Sequence, residues 1–313
     1  MDINSIWTLA GAINYLKTSS QNEHVLEKIK ETIYSWNYRS EYDLESIRDD
    51  LNGIVEHVMT QHFKDKVDRE LKLSISCVVY NEIYENLIPL IRGQFSKEDL
   101  YLYEKCTYLS KKNVSPGQFG CSVYNCLKFI SAVVELSVLD TYKSPLEKIN
   151  CLCSTYDMIY AELKLALVTI ISKYSEKECE IPIINNEEVI PILMMVVIKS
   201  KLLYLWSNLF YIKFFAGDII EENNGIRSIL NIYETVILKI MTIEESCLNV
   251  GCDKIPTNLD VAETMAILSS EENLETQDHA TLIGEGKKRL VSLITKATAE
   301  KNFVPLDVAK IFS

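Results

Sequence analysis

From Glu187 to Ile212 the chain reads EEVIPILMMVVIKSKLLYLWSNLFYI, and this stretch limits the fold more than any other. Its first apolar run, Val189 to Ile198, stops at Lys199 after ten residues, half of the roughly 20 needed to cross a bilayer. A run that apolar and that short belongs inside a protein, and Pro191 sets how it folds. Proline suits the first turn of a helix, where its missing N–H is not required, so a helix should start just before it and place Glu187 and Glu188 near its N-terminus. The helix dipole and free N–H groups there favour ionised carboxylates. Capping alone would account for the two acids.

Helical spacing recurs along the chain. Val25, Ile29, Ile33 and Trp36 form one stripe, and Leu44, Ile47, Leu51, Ile54, Val58 and Met59 another. Further stripes cover 74–92, 97–111, 122–139, 145–173, 187–199, 202–215, 227–243 and 284–300. Ser144-Pro145-Leu146-Glu147 forms a helix start with a capping box: a capping serine, proline at the first position and glutamate three residues after the serine. Strand-like alternation is scarce, and 10 Gly and 7 Pro in 313 residues are too few for the turns of a sandwich or barrel. The expected class is all-α. A chain of this length with 48% hydrophobic residues can bury roughly three quarters of its unfolded surface.

A net charge of -12 with no long basic run excludes nucleic acid as the expected partner. The cysteines at 77, 106, 121, 126, 151, 153, 179, 247 and 252 contain no C-x-x-C pair, and no signal peptide is expected before them. They are expected to be reduced cytosolic thiols, mostly on buried helix faces. His24, His57, His62 and His279 are too scattered for a zinc site, so neither metal nor cofactor is expected. No phosphate-binding glycine loop, G-x-S-x-G or paired nucleophile and histidine occurs. From Glu244 to Glu285 there are ten acids and only Lys254 in opposition, which predicts an acidic connector leading to a last helix with Leu290, Leu293, Ile294 and Ala297 on one face.

Two ordered blocks resemble a known family. Glu187-Glu188-Val189-Ile190-Pro191-Ile192-Leu193, then Val196-Val197-Ile198-Lys199, Ser207-Asn208-Leu209 and Tyr211-Ile212, are similar to the central signature of the VPS9 domain. Upstream, Tyr142-Lys143-Ser144-Pro145-Leu146-Glu147-Lys148-Ile149 resembles that family's Tyr-Lys-Ser-Pro-Arg-Asp-Lys-Leu segment. A weaker similarity spans Glu98-Asp99-Leu100 to Ser115-Pro116. The family comprises guanine-nucleotide exchange factors for Rab-five-type GTPases.

The resemblance implies a layered helical exchange-factor core packed on an N-terminal helical bundle. The expected divisions are an extension over 1–40, a bundle over 41–130, the core over 131–243, the acidic connector over 244–283 and a terminal helix over 284–313 packing on the body. It also implies that Glu187 inserts into the nucleotide site of the GTPase, with Glu188, Pro191, Ser207, Asn208, Tyr211 and Ser228 contacting that partner. From the residues alone, Ser207 and Asn208 could equally satisfy buried backbone groups, and Lys199 suits a helix C-terminus.

There are departures from the family pattern. The first acid is Glu187 rather than Asp, Leu146 stands at the family's Arg, Ser228 stands for a threonine, and no tyrosine aligns just ahead of it. The expectation is slow exchange in the cytoplasm and on endosomal membranes reached through the GTPase, with no small-molecule substrate. The alternative is a Rab-binding adaptor or tether with the same fold.

Overall fold

In the computed structural model, which describes residues 8–19, 24–35, 43–63, 68–119, 127–174 and 186–244, all regular elements are helical. Eleven α-helices occur among the described residues: α1 (Leu9–Ser19), α2 (Val25–Ser35), α3 (Leu44–His62), α4 (Arg69–Gln94), α5 (Ser96–Lys111), α6 (Ile130–Ser137), α7 (Pro145–Tyr174), α8 (Asn186–Ser200), α9 (Leu205–Phe215), α10 (Gly217–Glu222) and α11 (Asn224–Thr242). The all-α expectation holds. The acidic connector and the terminal helix lie outside the described residues, as do Cys121, Cys126, Cys179, Cys247, Cys252 and His279.

Two apolar cores are joined along α4. One gathers α1–α4, with Ile29, Ile47, Leu51, Val58 and Ile75 fully buried. The other gathers α5–α9 and α11, so that the helices carrying the resemblance share one interior. α4 buries Ile75, Val78 and Val79 in the first and Cys77 in the second, as expected of a helix apolar on several faces. From α9, Tyr211 and Phe215 cross into the first core and meet Tyr80 edge-on, at centroid distances of 6.5 and 5.7 Å.

The start of α7 forms as its sequence predicts. The Glu147 N–H donates to Ser144 Oγ at 3.1 Å, and the Ser144 N–H donates to Glu147 Oε2 at 3.4 Å, closing the capping box. The other carboxylate oxygen accepts the Leu9 N–H at 2.9 Å, which ties α1 to the same point.

Two expectations shift. Of the stripe over 122–139, residues 122–126 lie outside the described residues, and 127–129 precede a helix that starts at Ile130: Phe129 is left-handed at φ 49° and fully buried, and its N–H donates to Glu162 Oε1 at 3.1 Å. Pro191 falls in the second turn of α8 rather than the first. The cost is one bond, since the only N–H that proline lacks is the one that would reach the Glu187 carbonyl.

Cys77, Cys106, Cys151 and Cys153 are free and buried, as expected. Burial pushes the thiols of Cys77, Cys106 and Cys151 up to about 12, which keeps them as inert apolar fillers.

Candidate functional site

α8 is the central member of the second core, packed by α5, α6, α7 and α11. Every residue from Pro191 to Ile198 is buried. A fully buried aliphatic side chain contributes roughly 1.5–3 kcal/mol, so this helix is strongly held. Glu187 and Glu188 occupy its first turn, at the positive pole of the helix dipole. Their side chains lie outside the described residues. At the far end Lys199 is exposed in the last turn, where the dipole favours a cation.

The chain turns by 115° between α8 and α9. Lys201 takes a left-handed φ of 52° in that corner, an uncommon conformation for a residue with a side chain. Neither helix is long and apolar enough to span a membrane, and both are largely interior.

The signature residues on α9 point inward. Ser207, Asn208 and Tyr211 are completely buried. Tyr204, at the N-cap position, makes no side-chain capping bond, and a carboxylate from another helix supplies one. Asp99 on α5 accepts the Ser207 N–H at Oδ1 (3.1 Å) and the Ser207 hydroxyl at Oδ2. Burial pushes the Asp99 carboxyl up against the opposing pull of these two donors. Asn208 Nδ2 donates to Asp140 Oδ1 at 2.7 Å, while its own buried carbonyl oxygen has no protein partner. Tyr211 donates its hydroxyl to the Lys143 carbonyl at 3.0 Å.

Two cations complete this interior network. The Arg92 guanidinium lies 3.7 Å from the Tyr204 ring centroid and 3.6 Å from Asp140 Oδ1. Lys148 is fully buried; its ammonium donates to the Leu139 carbonyl at 3.0 Å and sits 5.2 Å from the Tyr84 ring centroid. Burial drives that ammonium down to about 8, with Asp140 as the main opposing influence. In this structure the Ser-Asn-Tyr part of the signature therefore fastens α9 to α5, to the 3-10 turn Leu139–Thr141 and to the approach to α7.

Asp99, Asp140, Arg92 and Lys148 are the residues that sequence reasoning missed as a group. Asp99 and Lys148 stand within the similar segments, but their burial and their partners arise only from packing.

Ser228 is half-buried in α11, a helix capped by Asn223, whose Oδ1 accepts the Gly225 and Ile226 N–H groups at 3.0 and 3.1 Å. Tyr233 is fully buried and donates to the Leu152 carbonyl at 3.1 Å. It is a core residue and does not replace the unaligned family tyrosine. A cleft of about 660 Å³ opens at the seam of the two cores, lined from α3, α4, the start of α7, α9 and α10 but not from α8 or α11. Its cations Arg69 and Lys72 are paired, with Glu222 and Glu56, both at 3.1 Å. No group of three or more His, Cys, Asp or Glu side chains suited to a metal occurs among the described residues.

Comparison with known proteins locates the relationship on these helices. Residues 129–242 match the family model of the Vacuolar sorting protein 9 (VPS9) domain. Receptor-mediated endocytosis protein 6 of Caenorhabditis briggsae is 38% identical over 92 residues, which are 29% of this chain and 7% of that protein. Its counterpart in Caenorhabditis elegans is 34% identical over 92 residues, with the same shares. The match thus spans a small part of these relatives' length. The segment that matches the VPS9 domain model, 129–242, contains the signature residues of α8 and α9.

Proposed function

We propose that this protein promotes GDP release from a Rab-five-type GTPase in endosomal or vacuolar trafficking, with Glu187 as the acting residue. The observation that carries the reading is the setting of α8: a helix buried from Pro191 to Ile198, within the segment that matches the VPS9 domain, with two acids in its first turn. Bound nucleotide is held by Mg²⁺ and by a phosphate-binding lysine of the GTPase. A carboxylate inserted there competes for both, because it repels the phosphates while pairing the lysine and the ion. A helix N-terminus keeps the carboxylate ionised for that task.

Glu188 and Ser228 are proposed to border the surface that receives the GTPase, with the buried Pro191 beneath it. Ser207, Asn208 and Tyr211 would act from behind it, since their polar atoms are already engaged inside the protein. Membrane recruitment would follow from the GTPase, and the names of the worm relatives agree with a place in endocytosis.

A second reading, a Rab-binding adaptor or tether, is favoured by Ser228 replacing threonine and by the absence of an aligned tyrosine before it. Nucleotide-release assays across a panel of Rab GTPases, paired with binding to nucleotide-free, GDP and GTP forms, separate the two. An exchange factor speeds release and prefers the nucleotide-free or GDP form. Equal binding to all three forms with no release identifies the adaptor.

A further inference from the structure

The C-terminal end of α8 carries a feature that the exchange reading does not use. Lys199 in its last turn and Lys201 in the following corner are exposed, as is Lys128, just before α6. α6 packs against α8. Burial is the first influence lowering the Lys199 ammonium, and repulsion from Lys128 is the second. The Glu162 carboxylate on α7 accepts the Phe129 N–H beside Lys128. Exposed lysines with no ion pair among the described residues are unexpected in a chain of net charge -12.

Exposed aliphatic side chains flank these lysines along the chain. Ile130, two residues past Lys128, is 61% exposed, Val134, one turn along α6, is 58% exposed, and Leu203, two residues past Lys201, is 36% exposed. Exposed lysines with no ion pair among the described residues, flanked by exposed aliphatics, match the two attractions of a membrane surface, anionic headgroups and the acyl boundary.

We propose that Lys128, Lys199 and Lys201, with Ile130, Val134 and Leu203, form a surface that rests directly on an anionic phospholipid bilayer. The contact is weak and orienting: each lysine near such a surface raises partitioning by about fivefold, and the three together by about a hundredfold. Twelve residues separate Glu187 from Lys199, about 18 Å along a helix. The acidic end of α8 is therefore not part of this surface. The surface does not depend on the exchange reading, although it would set how α8 meets a GTPase tethered to the same bilayer.

The test is sedimentation of the full chain with vesicles of phosphatidylcholine alone or enriched in phosphatidylserine. Binding should require phosphatidylserine and weaken as salt is raised. Combining Lys128→Gln, Lys199→Gln and Lys201→Gln should reduce partitioning about a hundredfold with an unchanged thermal midpoint. Combining Ile130→Ser, Val134→Ser and Leu203→Ser should reduce it while keeping the salt dependence. Equal binding to both vesicle types, or a glutamine variant that binds like the wild type, would overturn the proposal. So would binding of soluble polyglutamate, lost in the glutamine variant, without any binding to vesicles, since the surface would then take an acidic polypeptide.

Discussion

α7 and α9 begin in opposite ways. α7 is capped by its own sequence, Ser144 and Glu147 exchanging hydrogen bonds within one turn. α9 begins at Tyr204 with no cap of its own and takes Asp99 from α5, 108 residues before Ser207. Both starts sit in VPS9-like segments. The first is a local fact of the chain, whereas the second exists only once α5 and α9 have packed. A helix capped from afar makes its position depend on the packing, and a family signature can record such fastening as well as partner contact.

The largest effect should come from breaking the remote cap. Asp99→Ala leaves the buried Ser207 N–H and hydroxyl without an acceptor, and should cost about 3 kcal/mol by urea unfolding. Asp99→Asn can still accept at one atom and should restore most of it. The charge is visible in the pH dependence. Because the folded carboxyl is raised, the native state holds the Asp99 proton more tightly than the unfolded chain. This group's contribution therefore falls as pH rises through the window between its ordinary and raised values. The wild type should gain on Asp99→Asn as pH is lowered through that window; a constant gap would mean that the carboxylate is not desolvated.

Lys148 sharpens the comparison from the other side, as a buried cation at the turn that holds Asp140. Its folded value of about 8 lies below the unfolded one, so its contribution to stability rises as pH climbs above 8. Lys148→Met should be as stable as the wild type or more so at neutral pH. Wild type minus variant should then rise by about 1–2 kcal/mol between pH 8 and pH 10. The difference must be read rather than the wild-type curve, because the buried thiols lower stability over the same range.

Ser144→Ala, at the local cap, should cost about 1 kcal/mol. A loss as large as that of Asp99→Ala would erase the distinction between the two starts.

Much of the architecture was legible because apolar spacing repeats with the helical period. The ends of α7 and α11 follow the stripes, and the capping box marks the start of α7 within one residue. What stayed hidden depends on contacts distant in the chain. The shortening of α6 rests on the left-handed Phe129 and its bond to Glu162. The start of α9 at Leu205 follows a corner at Lys201 that no glycine announces. In the site, the acids and Pro191 were readable from α8 alone. The pairing of Ser207 with Asp99 and of Asn208 with Asp140 was not, because in sequence each pair is as far apart as unrelated residues.

The central claim is that the acid opening α8 drives nucleotide release, and nucleotide release by Glu187→Ala tests it most directly. With a responsive Rab-five-type GTPase, that variant should lose release almost completely while still binding the nucleotide-free form. Such a result is expected of a side chain that acts mainly in the transition state. Glu188 points about 100° away around the helix, so Glu188→Ala should retain most of the activity. Release at the wild-type rate by the double alanine variant would contradict the account and leave the two acids as nothing more than a helix cap.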